Sequence, residues 1–267
     1  MNITTRNFLR LLRAGAFDYD EPIEPMSAWK WKRVYEVACE QGVARIVYRG
    51  IQLLSDQFFL QIPEVQMALW RKAIAQPAPI DEEQALRLTN RQNDKRLRAI
   101  IDDEDDGSPT LAVLKAMLIT TRHILDDGFY LRPLVQLALL LRPNSPRIDG
   151  ERLNEWLETL RMERIASFEM ALIVMLFNMN AEDMPVEPMP IDRNIEPLAD
   201  DLFSRKHPHT GQLRFTQTGD DIFVHTSNTR AMLWQARRSA RYFSYYPSES
   251  ISNLLASFAR SLTDIEE

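Results

Sequence analysis

Apolar residues between positions 111 and 177 recur at three- and four-residue spacing, which is the period of an α-helix. On a helical wheel, the first segment of this region carries a broad apolar stripe, formed by Leu111, Leu114, Leu118, Thr121 and Leu125. Short links interrupt the pattern, which therefore predicts four helices: Leu111–Leu125, Pro133–Leu141, Gly150–Leu160 and Glu163–Phe177. This block constrains the fold more than any other part of the chain.

The rest of the chain continues the helical pattern, with one exception. Only 8 of the 267 residues are glycine, and leucine, alanine, arginine, glutamate and methionine are common, a composition that favours helix over sheet. The segments Leu213–Thr216 and Ile222–Thr226 are rich in β-forming residues and flank a Thr-Gly-Asp-Asp turn, which is typical of a hairpin. We expect a mainly α protein, a multi-helix bundle-like array with one small β-hairpin near the C-terminal third.

Several helices are predicted in the N-terminal third. The first runs from Thr5 to Ala14 and stops at Gly15, and Ser27 caps the second. A separate helix follows Gly42.

A further block at Glu64–Ile74 presents Val65, Leu69 and Trp70 as its apolar residues. A long, highly charged helix is predicted from Asp81 onwards.

Prolines cluster outside the strongest helical runs and mark the joints between regions. The predicted regions are an N-terminal helical region at 1–101, an acidic loop at 102–110, a central helical block at 111–180, a Pro-rich connector at 181–212, and a β-hairpin with C-terminal helices at 213–267. They form one compact domain or two closely packed ones. Because like charges repel and Pro109 hinders helix continuation, we expect the acidic loop to be solvated and Thr110 to cap the next helix.

Composition excludes several classes of protein. Cys39 is the one cysteine, so an internal disulfide and a cysteine-built zinc site are excluded, and its apolar helical setting predicts a buried, inert thiol. No run approaches the roughly 20 apolar residues of a membrane span, and the N-terminus lacks the uncharged core of a signal peptide. We expect a cytoplasmic protein without membrane contact. Its net charge of −6 argues against broad nucleic-acid binding.

The segment from 119 to 142 is apolar enough to be buried, yet it carries Arg122, His123 and Arg132. Arg132 precedes a proline in the first helical turn, where the helix dipole disfavours a cation by about 0.3–1 kcal/mol. Asp126 or Asp127 could compensate, and so could a bound phosphate or carboxylate. Arg122 has Asp126 within pairing reach, and a histidine at a core edge is the plainer interpretation of His123. The three basic residues are the candidate anion-binding site.

The same residues carry a family resemblance. "TTRHILDDGFYLRPLVQLALLL", with the helical block ending "LETLRMERIASFEMALIVMLFNM", resembles the C-terminal helical part of an uncharacterised bacterial nucleotidyltransferase-like family often seen beside polysaccharide-synthesis genes. His123, Gly128, Leu131 and Arg132 fit its His–Gly–Leu-Arg pattern. "FLRLLRAGAF", "WKRVYEVACEQGVARIVYRGI" and "ARRSARYFSYYPSES" are similar to the family's opening helices and tail.

The resemblance implies a βαβ core in which two carboxylates flank one apolar residue on a strand and hold Mg²⁺ against nucleotide phosphates. This chain departs from that pattern. The acidic run Asp102–Asp106 has no intervening apolar residue and no flanking strand, and Asp220 and Asp221 are adjacent in a turn. We therefore expect a form without the catalytic core, with no catalytic residues, no metal and no cofactor.

A second basic set lies near the C-terminus. Arg230, Arg237, Arg238 and Arg241 are interleaved with aromatic residues and could face a protein partner or nucleic acid. The leading hypothesis is a non-catalytic binding or scaffold protein with a protein partner. The alternatives are a divergent Mg²⁺-dependent nucleotidyl or phosphoryl transferase that uses Asp102–Asp106 or Asp220–Asp221, and a nucleic-acid-binding regulator that uses the arginine-rich segment.

Overall fold

The computed structural model describes residues 2–75, 86–126, 130–144, 147–190 and 243–252. Within these ranges the protein is mainly α-helical, as predicted. The α-helices are α1 (Ile3–Phe17), α2 (Ala28–Glu40), α3 (Ala44–Leu53), α4 (Glu64–Ile74), α5 (Arg91–Asp103), α6 (Pro109–Asp126), α7 (Leu131–Asn144), α8 (Gly150–Leu160) and α9 (Glu163–Phe177). A 3₁₀ turn lies at Ala181–Asp183, and residues 247–252 are also helical. The predicted β-hairpin lies outside them.

The N-terminal part of the fold is built on the crossing of α1 and α3. A Cβ placed on Gly15 would lie 1.8 Å from the backbone oxygen of Ile46, and one on Gly50 would lie 2.0 Å from the backbone oxygen of Leu11. The two helix backbones therefore touch at paired glycines, because any side chain there would force them apart. The prediction that Gly15 stops α1 was wrong, since α1 continues to Phe17 and Asp18 ends it in the left-handed conformation.

The C-terminal part is organised around α9. This helix is apolar on nearly all sides, so it lies in the centre of the core and packs against α6, α7 and α8. Three ties join it to α1: the Phe17 and Phe177 rings lie 5.5 Å apart, Arg13 donates to the backbone oxygen of Leu176 at 3.1 Å, and the helices pack directly. Buried residues of regions 1–101 and 111–180 thus belong to one core cluster.

Residues 243–252 pack against the start of α5 and the end of α8. The hydroxyl of Tyr246, a fully buried residue, donates to the backbone oxygen of Leu160 at 2.9 Å, and Asn93 donates to the same oxygen at 3.1 Å. The carboxylate of Glu249 accepts the backbone N–H groups of Thr89 and Asn90; Asn90 is the N-cap of α5, and its N–H has no partner within the helix. Burial raises the pKa of Glu249 above its ordinary value.

Two predicted helix starts need correction. The charged helix was predicted from Asp81, but the described residues 86–90 are not helical and α5 begins at Arg91, because the Asn90 side chain accepts the N–H groups of Gln92 and Asn93. Likewise, α6 begins at Pro109 rather than after a Thr110 cap.

At the start of α6, Ser108 Oγ accepts the N–H of Leu111 at 3.4 Å, while Thr110 Oγ1 accepts the N–H of Asp149 at 2.9 Å. Proline is well suited to the first turn of a helix, where its missing N–H costs nothing.

The prediction of a buried thiol at Cys39 was also wrong. Cys39 is exposed near the end of α2, because it lies one residue beyond Ala38, the last buried position on the inner side of that helix. Among the residues that the structure describes, every helix is too short or too polar to cross a membrane.

Candidate functional site

The structure separates Arg122 from the other two predicted anion-binding residues. Arg122 is half-buried on α6, and its guanidinium donates to the backbone oxygen of Arg87 and lies near the carboxylate of Glu249. Arg122 therefore contributes to the contact between α6, the turn before α5 and the 243–252 segment. The side chain of Asp126, the predicted partner of Arg122, lies outside the described residues.

His123 and Arg132, by contrast, lie together beside the turn between α2 and α3. The rings of His123 and Tyr130 are 5.4 Å apart and tilted by 46°. Tyr130 and Arg132 both cover Gly42, where an added Cβ would lie 2.0 Å from the tyrosine oxygen and 3.3 Å from Arg132 Cδ. Gly42 has a φ of +65°, a conformation that glycine adopts without strain, so this turn leaves room for both side chains.

The start of α7 beside Arg132 already has one polar partner. The backbone N–H of Leu131 donates to Oε1 of Gln41 at 3.0 Å in a buried contact. A neutral amide oxygen thus takes the place that an anion would take at this first N–H group. Of the three predicted residues, His123 and Arg132 therefore lie together here, and Tyr130 lies between them and Gly42; all three side chains are half-buried.

We expect inorganic phosphate to raise the Tm of the wild-type protein and of Arg122→Gln, but not that of Arg132→Gln. A ligand that binds only the folded state adds about 1.4 kcal/mol of stability at ten times its Kd. Differential scanning fluorimetry across phosphate concentrations measures this shift. Equal shifts in all three proteins would show a general salt effect and would remove the anion-binding prediction.

The acidic loop directs its carboxylates toward different helices. Glu104 forms an ion pair with Arg152 of α8, without the alignment of a hydrogen bond, while Asp106 lies 3.1 Å from the Lys115 Nζ of α6. Asp105 accepts the N–H of Gly107 at 3.2 Å in a tight turn. The side chains therefore diverge toward separate cations. Across the described residues, no three His, Cys, Asp or Glu side chains lie close enough together to hold a metal ion.

The second basic set and the second acidic pair lie outside the described residues. This applies to Arg230, Arg237, Arg238 and Arg241, and to Asp220 and Asp221. Their roles stay predictions.

Sequence reasoning missed a group of exposed apolar side chains near the N-terminus. Six of the nine exposed large apolar residues in the described ranges fall between positions 29 and 69, and we call them the 29–69 apolar set: Trp29, Leu53, Phe58, Phe59, Val65 and Leu69. Val65, Leu69 and Trp70 are the apolar residues that the sequence presents on α4, and of the three only Trp70 is buried. The signal that could have found part of the set is "DQFFLQ", a pair of aromatic residues within a polar turn.

Two of these residues border an open depression of about 390 Å³. Phe58 and Phe59 pack edge to face, with ring centroids 5.2 Å apart, and the other lining residues are Asp20, Pro22, Ile23 and Gln57. The Gln57 side chain joins the two chain segments that line the depression. Its oxygen accepts the N–H of Ile23 at 2.8 Å, and its nitrogen donates to Asp20 Oδ1 and to the backbone oxygen of Glu21, both at 3.1 Å.

Sequence reasoning also missed a buried carboxyl group. Glu169 of α9 is fully buried; its Oε1 accepts the hydroxyl of Thr121 at 2.7 Å, and within the described part of the chain its Oε2 has no hydrogen-bond partner. Burial raises the pKa of Glu169 well above its ordinary value, and the Thr121 hydroxyl offsets this only in part. The signal was present, since Glu169 is the one charged residue between Ile165 and Phe177.

The chain matches no protein-family model, no curated protein and no solved structure. The resemblance to the nucleotidyltransferase-like family therefore stays a prediction.

Proposed function

We propose that this chain is a non-catalytic binding or scaffold protein, related to the nucleotidyltransferase-like family but without its catalytic core, and that it contacts a protein partner through the 29–69 apolar set. The observation that carries the proposal is the exposure of large apolar side chains there: Trp29 is 64% exposed, Phe58 77% and Val65 79%. Single exposed apolar residues are ordinary, but a concentration in one part of a fold is typical of an interaction surface.

Two of the helices that carry these side chains, α2 and α4, pack against each other. Trp70 is fully buried, and its ring packs edge to face on Tyr35 at 5.1 Å, which joins α4 to α2. Gln66 adds a second tie by donating to the backbone oxygen of Ala28 at 2.7 Å. Because α4 is already packed on α2, ordering these helices on binding costs little conformational entropy, and this favours association.

The divergence of the acidic loop also supports the non-catalytic interpretation. The transferase alternative needs two carboxylates that converge on one Mg²⁺ ion. Glu104 and Asp106 instead contact cations on α8 and α6. The versions of this alternative that use Asp220–Asp221, and the nucleic-acid-binding alternative, remain predictions.

The proposal is tested by crosslinking in cells that contain the natural partners, with the full chain and its variants compared. We expect Phe58→Glu and Val65→Glu to lose a crosslinked partner that wild type retains, because a buried unpaired charge opposes association. Leu139→Glu on α7 is the control, since Leu139 is also an exposed apolar residue but lies outside the set. Equal crosslinking by all four proteins would contradict the proposal, provided that their thermal unfolding curves agree.

A further inference from the structure

The depression beside Phe58 and Phe59 combines an aromatic wall with an acidic one. Phe58 is largely exposed and Phe59 is half-exposed, so part of each side chain is accessible to an incoming group. Asp20 lines the same depression and is exposed. Its Oδ1 is already held by Gln57, so the carboxylate is oriented before any partner arrives.

The acids around this depression differ in whether a cation balances them. Asp18 pairs with Arg49, Glu21 with Arg13, and Glu24 with Arg6 and Arg10. Asp20, in contrast, has no ion-pair partner within the described ranges, and neither does the exposed Asp56 that precedes Gln57. The negative charge left uncompensated therefore lies next to the exposed aromatic pair.

We infer that this depression receives the side chain of an arginine or lysine from a basic segment of the partner protein. The cation would lie over the Phe58 or Phe59 ring and pair with the Asp20 carboxylate. An aromatic face attracts a cation through its quadrupole, and a carboxylate adds a charge-assisted hydrogen bond. A planar guanidinium can make both contacts at once, because its flat face stacks on the ring while its N–H groups donate within the plane of the group. This inference rests on the proposed protein-binding function and names the chemistry of the partner.

The inference is tested with purified full-length protein and a fluorescein-labelled synthetic peptide of alternating arginine and leucine, followed by fluorescence anisotropy. We expect wild type to bind this peptide and Asp20→Asn to bind it about tenfold more weakly, equivalent to about 1.4 kcal/mol. Asp102→Asn is the matched control, because it removes the same charge from another exposed aspartate and should bind like wild type. Phe58→Ala should bind several-fold more weakly, and a peptide with glutamate in place of arginine should not bind.

Three results would overturn the inference. If Asp20→Asn and Asp102→Asn weaken binding equally, attraction is due to overall charge. If the glutamate peptide binds as well as the arginine peptide, the surface recognises apolar groups alone. Failure of wild type to bind the arginine peptide also overturns it. In each case the proposed function is judged separately, by whether Phe58→Glu and Val65→Glu lose the crosslinked partner.

Discussion

The free energy of unfolding of Glu169→Gln is expected to increase relative to that of wild type as the pH rises above the ordinary carboxyl pKa of about 4.3. Burial raises the pKa of Glu169 in the folded state. Its protonated form therefore supports the fold fully below the ordinary pKa, and this support is lost as the pH rises toward and through the folded-state pKa. The loss has a limiting slope of about 1.4 kcal/mol per pH unit for one proton.

The measurement is the free energy of unfolding from urea denaturation across a pH series, for wild type and Glu169→Gln. Glu155→Gln is the control, because Glu155 is exposed on α8 and its replacement removes the same charge. Thr121→Val provides a further check: it removes the hydroxyl that lowers the pKa of Glu169, so the loss of stability should extend to higher pH. Parallel curves for wild type and Glu169→Gln would show that the carboxyl does not titrate as a buried group.

Gly50→Ala is expected to lower the free energy of unfolding by at least about 3 kcal/mol, at the upper end of the range for overpacked cores. The added methyl group would lie 2.0 Å from the backbone oxygen of Leu11 and 3.0 Å from the backbone nitrogen of Gly15. Backbone atoms cannot rotate away as a side chain does, so α1 and α3 must separate. The higher helix propensity of alanine returns only about 1 kcal/mol.

Gly150→Ala is the matched control for that experiment. Gly150 is the first residue of α8, and a Cβ there would lie 3.7 Å from the backbone oxygen of Pro185, an ordinary contact distance. We expect this variant to be as stable as wild type or slightly more stable in urea denaturation. Similar stabilities for Gly50→Ala and Gly150→Ala would contradict the close crossing of α1 and α3.

Much of the helical pattern was predictable because its causes are local. The bounds of α4, α8 and α9 agree with the predicted Glu64–Ile74, Gly150–Leu160 and Glu163–Phe177. Apolar spacing and end signals such as the Asp149 cap act within a few residues, so they are visible in the sequence. The first turn of α7 was likewise predicted from Pro133.

The candidate site was predictable only in part. The sequence singled out Arg122, His123 and Arg132 as one group, but a helix places adjacent residues about 100° apart, so Arg122 and His123 face different neighbours. The involvement of Tyr130 and Gly42 depends on a contact between the α2–α3 turn and the start of α7, whose residues lie far apart in the chain. Nothing in local spacing encodes that contact.

By itself, the sequence determined that the chain would be mainly helical and where most helices lie, because periodicity and capping operate over short distances. Tertiary structure alone decided which apolar faces stay uncovered, why Gly15 and Gly50 are glycines, and that Glu169 is enclosed. Each of these depends on which surfaces meet, and a helix with one apolar stripe does not specify its neighbour. Val65 and Trp70 illustrate this: both are apolar and lie on one helix, yet only Trp70 is buried against neighbouring residues.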